Sequence, residues 1–188
     1  MLEQYYNNKG KGLPIISNSF NSPSLIRAKN IFEKAFPKAK WVVYDPVNDE
    51  NIYKGIKIAT GKTYQPVYHY DKADVVLSID SDFMQLESNN IASSNRFAKK
   101  RRVINEKEKM NRLYCVESSF SITGSMADHR LRLRNDEIPA FTASLALELK
   151  KLGYNSGSSS MLSRFGKLEG SSNFIKVIAK DLSDSRGK

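Results

Sequence analysis

The run MNRLYCVESSFSITGSMADHRLRLRNDEIPAFTASLALEL, from Met110 to Leu149, decides the fold. It opens with Leu113-Tyr114-Cys115-Val116, a short continuous apolar run of the kind that forms a buried strand. A polar loop follows from Glu117 to Asp128, rich in Ser and containing Gly124. His129-Arg130-Leu131-Arg132-Leu133-Arg134 then alternates, placing Leu131 and Leu133 on one side and the three arginines on the other. Asn135-Asp136-Glu137 leads into a helix predicted from about Ile138 to Leu149. Strand, loop, second strand and helix within about 40 residues make a crossover unit of a parallel sheet.

Upstream, the same grammar repeats. Leu13 to Ser17 reads as a strand and Asn18 to Ser22 as a loop. Ser22-Pro23 starts a helix, with Ser as N-cap and Pro at the first helical position. That helix runs to about Phe36, with Leu25, Ala28, Ile31, Phe32 and Ala35 on its inner face, and Pro37 stops it. Trp41 to Tyr44 is a second strand, and Asp45-Pro46 turns the chain. Asn48 or Asp49 caps a helix to about Thr60, which Gly61 ends; Ile52, Ile56 and Ala59 have helical spacing. Thr63 to Tyr70, with Pro66 and alternating aromatics, reads as extended and peripheral. Ala73 to Ile79 is the most hydrophobic strand and is expected at the centre of the sheet. A helix from about Asn90 to Arg102 and a charged loop, Asn105 to Lys109, complete the approach.

These alternations predict an α/β fold: an open, three-layer, mostly parallel sheet with helices on both faces. Ile15, Val42, Val76 and Val116, each central to an apolar run, are expected on adjacent parallel strands of one sheet. Residues 1–153 would form this domain, with Met1 to Gly12 a polar, extended arm. Residues 154–188 would add a flexible connector, Asn155 to Ser160, and a last amphipathic helix, Phe174 to Leu182.

The chain has 188 residues, of which 40% are hydrophobic, enough for one domain with a substantial core. No run reaches the roughly 18 apolar residues of a spanning helix, so no direct membrane insertion is expected. The opening MLEQYYNNKGKG lacks the apolar core of a secretory signal. Cys115 is the single cysteine, so it forms no internal disulfide and belongs to no cysteine cluster; it reads as a small core residue. The net charge is +10. Its densest cluster, Lys99-Lys100-Arg101-Arg102, ends a predicted helix, where cations complement the helix dipole. No aromatic residues interleave with it as single-strand binding requires, so nucleic acid is not an expected partner.

In open α/β sheets, ligands bind beyond the carboxyl ends of the strands. Four such ends are predicted: Ser17-Asn18-Ser19, Asp45-Pro46, Asp80-Ser81-Asp82 and Glu117-Ser118-Ser119. The helix opening at Ser22-Pro23 offers free N–H groups, which makes Asn18, Ser19, Ser22 and Ser24 weak candidates for an anion site. No catalytic residue and no metal ligand is predicted. His69 and His129 lack metal-ligand spacing, and the serines around Glu117 and Asp128 show no Gly-x-Ser-x-Gly elbow. The loop Ser118 to Asp128 is long for a connection, and Asp128 is its expected anchor, accepting bonds from loop N–H groups or from Arg130 or Arg112.

The words MNRLYCVES, SITGSMADHRLRLR and NDEIPAF, with LPIISNSFNSPS, KWVVYDPVNDENIYKGIKIATGK and KADVVLSIDSDFMQLE, span nearly the whole chain. They resemble the large periplasmic iron–sulfur subunit of bacterial alternative complex III, a quinol-oxidising respiratory assembly. The front half of that subunit is related to the molybdopterin oxidoreductases, whose fold is Rossmann-like. The resemblance implies a place on the periplasmic side of the inner membrane, among the other subunits of a membrane-bound complex, with an export signal outside this chain. It also implies a piece of a longer subunit, because the family continues into a further strand where this sequence reaches Lys188.

The family's cofactors are molybdopterin guanine dinucleotide and iron–sulfur clusters, and the sequence departs from the pattern that binds them. Catalytic relatives often carry Gly after the strand matching ADVVLSI, where this chain has Asp80, followed by Asp82. They often read Pro-Gly-Thr-Asp where this chain has Asn135-Asp136-Glu137-Ile138. One Cys cannot hold an iron–sulfur cluster. The resemblance therefore implies a cofactor-free, non-catalytic domain serving as a scaffold. Two alternatives stay open: a part of an active molybdenum oxidoreductase whose metal-binding half lies elsewhere, and a stand-alone anion- or nucleotide-binding module.

Overall fold

The computed structural model describes residues 3–154, 159–166, 168 and 170–187, and among these every strand pairs in parallel. The chain divides into two compact units, Met1–Pro66 and Val67–Lys188.

The first unit opens with a helical turn, α1 (Glu3–Tyr6), where the sequence suggested an extended arm. The arm is folded because Tyr6 packs against the Phe36 ring, 4.9 Å between centroids. Gly10 takes a positive φ of 85° close beside Phe36, and a Cβ there would sit 2.8 Å from the Phe36 Cβ. Strand β1 (Pro14–Ser17), helix α2 (Pro23–Ala35), strand β2 (Lys40–Val43) and helix α3 (Glu50–Thr60) follow as predicted. Gly61 ends α3 in the left-handed region. Strand β1 pairs with β2 in the register Ile15↔Trp41 and Ile16↔Val42.

The second unit carries β3 (Val75–Ile79), α4 (Asn90–Arg101), β4 (Arg112–Glu117), a one-turn helix α5 (Ile122–Ser125) and β5 (His129–Arg132). It continues through a 3-10 turn, Asn135–Glu137, into α6 (Ile138–Lys151), α7 (Ser159–Leu162), a second 3-10 turn and α8 (Ser172–Asp184). The sheet order is β3-β4-β5. Side-chain alternation sends Tyr114 and Val116 of β4 to one face, packed with Phe141 and Leu145 of α6 and Ile175, Ile178 and Ala179 of α8. Leu113 and Val76 point to the other face, with Phe97 of α4 and Phe83. Helices on both faces of a parallel sheet give this unit three layers.

The fold class is α/β as expected, with two differences. The strands form two sheets, of two and three strands, so Ile15 and Val42 share one sheet while Val76 and Val116 share the other. The centre of the larger sheet is β4, whose residues from Leu113 to Val116 are buried completely or nearly so. The hydrophobic β3 is an edge strand of that sheet; its apolarity reflects two covered faces, which an edge strand shares with a central one. The expected connector Asn155–Ser160 lies outside the described residues over 155–158, and Ser159 and Ser160 open α7. The last helix packs on α6 within the second unit.

Candidate functional site

The carboxyl ends of the strands were the places to look for a ligand, and in both units these ends hold carboxylates of the chain itself. In the first unit, the amide of Ser19, just past β1, donates to both oxygens of Asp45, just past β2, at 3.0 and 3.3 Å. Hydrogen bonding from Ser19 holds the Asp45 carboxyl below its ordinary value. Of the candidate anion residues, Ser19 is thus engaged by an internal acid. Ser22 and Ser24 bond each other through their hydroxyls at 2.9 Å, Asn18 is exposed in the same loop, and the Ser22 side chain does not cap α2.

In the second unit, β3 is followed by Asp80, whose φ of 48° is left-handed. Asp is among the few residues that tolerate such a backbone. Two residues on, Asp82 accepts the Thr123 amide at 3.1 Å and the Thr123 hydroxyl at 2.7 Å. The Thr123 oxygen in turn accepts the Met84 amide at 3.2 Å.

Strand β4 ends at Glu117, which is only 3% exposed. The Ser121 hydroxyl donates to its Oε2 at 2.5 Å, and Arg130 Nε donates to its Oε1 at 2.5 Å. Burial works to raise the Glu117 pKa, but the bonds from Ser121 and Arg130 outweigh it and leave the carboxyl below its ordinary value. Gly124 is required at this point for a steric reason: a Cβ there would lie 1.8 Å from Glu117 Oε1. The neighbouring Cys115 thiol is pushed up to about 12 by burial first and by Glu117 second, so it is a protonated core group.

The loop between β4 and β5 is therefore fastened along its length. Glu117 holds Ser121, Asp82 holds Thr123, and Asp128 closes the far end. Asp128 accepts two bonds from Arg101, at 2.8 and 2.7 Å, and one from the Leu113 amide at 2.8 Å. The anchoring role expected of Asp128 is present, but with different cations: Arg130 pairs with Glu117, and Arg112 pairs with Asp181 at 2.5 Å. Pairing to Arg101 leads the causes that lower the Asp128 pKa. Sequence reasoning could not find Arg101 or Asp82 as partners, because each is more than 25 residues away in the chain.

The basic cluster at the end of α4 is half engaged by acids, since Lys100 pairs with Asp74 at 2.9 Å and Arg101 with Asp128. His129 stacks on Tyr114 with ring centroids 4.9 Å apart, and His69 lies 4.0 Å from Asp71. Among the described residues, no three His, Cys, Asp or Glu side chains are gathered in a metal-binding group.

The pterin dinucleotide that the resemblance implies does not fit these strand ends. Its pyrophosphate needs free N–H donors and positive potential; here the donors of Ser19, Ser121 and Thr123 are each directed at a carboxylate, and Asp80 adds another exposed acid. A comparison with family models gives no match, and a comparison with curated proteins gives none.

Proposed function

We propose that this chain is a non-catalytic, cofactor-free domain of the molybdopterin oxidoreductase type, acting as a structural scaffold in a quinol-oxidising respiratory complex on the periplasmic side of the bacterial inner membrane. The likeness of its long sequence words to the large subunit of alternative complex III supports the setting. One observation carries the scaffold role: donors at the strand ends are directed at Asp45, Asp82 and Glu117 rather than left free for a phosphate. An acid at each of these strand ends repels a pyrophosphate and occupies the donors that would hold one. The domain's work is then to hold neighbouring electron-carrying subunits in position.

Metal and pterin analysis of the protein purified with its native neighbours tests this reading. The expected result is co-purification with haem and iron–sulfur subunits, and no molybdenum or guanine nucleotide assignable to this domain. Stoichiometric molybdenum with a guanine dinucleotide, retained when the domain is isolated, would overturn it and favour the catalytic alternative.

A further inference from the structure

We propose that the end of β4 is a carboxylate-recognition site closed in cis: Arg130, Ser121 and the open face of Gly124 form a cradle for one carboxylate, and Glu117 supplies it. The inference deepens the scaffold reading and rests on it for the meaning of the closure. The cradle is built from elements on both sides of the acid. Ser121 donates to Oε2 through its hydroxyl and Arg130 to Oε1 through Nε, so each oxygen has its own charged or short partner.

The groups of the cradle have partners besides Glu117. Arg130 Nη2 donates to the Ser119 carbonyl at 3.1 Å, and its guanidinium lies over the Phe120 ring at 4.7 Å. The Ser121 oxygen accepts the Gly124 amide at 2.9 Å. Arg130 and Ser121 thus keep partners when the acid is removed, which preorganises the site for another one. The chemical class follows from the space. The position of a Cβ on Gly124 is 1.8 Å from Oε1, 2.5 Å from the carboxyl carbon and 2.9 Å from Oε2, so the carboxylate leads with Oε1 into the space that a side chain at 124 would fill. A planar monocarboxylate such as formate or acetate reproduces the group now seated there, whereas a tetrahedral sulfate or phosphate brings further oxygens toward the Gly124 backbone.

The test is Glu117→Ala in the whole chain, which removes the acid and opens the gap. Thermal melting is followed in formate, acetate, chloride and sulfate at equal ionic strength and neutral pH. The variant should melt lower than the parent in chloride, and formate or acetate should recover a large part of the loss with a saturable dependence on concentration. The parent and the double variant Glu117→Ala/Arg130→Met should show no such response. An equal response to sulfate or chloride, or no response to formate, overturns the proposal. If Glu117→Ala does not fold in chloride, its refolding yield is compared in formate and chloride, and failure in both also counts against the site. Gly124→Ala gives an independent reading: its Cβ must expel the carboxylate, so proteolytic cleavage within residues 118–128 should rise, and an unchanged cleavage rate overturns the close fit. Failure of these experiments would leave the scaffold reading intact, since that one is decided by molybdenum and pterin content.

Discussion

The two units follow one grammar of strand, helix and parallel strand, yet only the second encloses a core. In Val67–Lys188, three strands offer two faces; Tyr114, Val116, Phe141 and Ile178 fill one and Leu113, Phe83 and Phe97 the other. In Met1–Pro66, Phe36 is the one large apolar side chain buried among the described residues. Ile16 is 73% exposed, and Val42, its partner across the strands, also faces outward. Between α2 and the two strands lies an open apolar depression of about 470 Å³, lined by Ile15, Phe20, Leu25, Phe32 and Trp41. The contrast teaches that a parallel pair has the register of a sheet without its energetics. Parallel sheets are stable when both faces are covered, and two strands present too little surface to be sandwiched.

The largest test of that contrast is in the cores. Phe141→Ala removes a completely buried ring and should cost about 3–5 kcal/mol. Ile16→Ala, at an exposed position, should stay within about 0.5 kcal/mol. The chain carries its own reporters, because its single Trp, Trp41, lies in the first unit and its single Cys, Cys115, in the second. Urea unfolding followed by Trp41 fluorescence should precede exposure of the Cys115 thiol to a disulfide reagent. Coincident transitions, with equal sensitivity to both substitutions, would break the comparison.

Next in size comes the fastening of the β4–β5 loop. Asp128→Ala leaves the Leu113 amide, in a fully buried residue, without this acceptor and takes two bonds from the Arg101 guanidinium, which keeps those to Asn111. It should cost about 1–3 kcal/mol, read as an earlier exposure of Cys115. An unchanged thiol transition would remove the anchor role. The same contacts give the second unit a pH dependence of known sign. Glu117, Asp128 and Asp181 all have folded pKa values below the ordinary ones. Each therefore contributes stability that is complete above the unfolded carboxylate range, about pH 4, and is lost as pH falls through the lower folded value. Acid unfolding should advance the Cys115 transition more than the Trp41 transition. The reverse order would mean that these carboxylates do not hold the second unit.

The order of elements was legible in the sequence because it is written locally. Ser22-Pro23 marks the start of α2, Gly61 the end of α3, and the apolar run at Leu113 the buried β4. Which strand takes the centre was not legible, since β3 and β4 are both apolar and composition does not distinguish an edge from a middle when both faces are covered. Nor was the division into two sheets, which depends on pairings between distant segments. At the strand ends, the acids and serines could be picked out as the residues that matter. Their use could not: Asp82 reaches Thr123, Arg101 reaches Asp128, and these distances along the chain carry no local pattern. Gly124 had a signal available, a lone Gly seven residues after a buried Glu, but only the 1.8 Å approach to Glu117 gives it a reason.

The smallest expected effect concerns the tie between the last helix and the sheet. Tyr114 donates to Asp181 Oδ2 at 2.6 Å, and Arg112 donates to the same oxygen at 2.5 Å. Burial works against the Asp181 charge, and these two donors more than offset it. Tyr114→Phe keeps the ring, its stacking on His129 and its packing in the core, and removes only the hydroxyl. Asp181 then retains Arg112, so the cost should be about 0.5–1.5 kcal/mol. Asp181→Ala should cost more, because it strands the hydroxyl of the buried Tyr114 and also removes the partner of the half-exposed Arg112. In a double-mutant cycle the combined variant should cost less than the sum of the two, since the hydroxyl has no partner left to lose. Strict additivity would mean that the 2.6 Å contact carries no energy, and that α8 is held to the sheet by Ile175, Ile178 and Ala179 and by the Arg112–Asp181 pair.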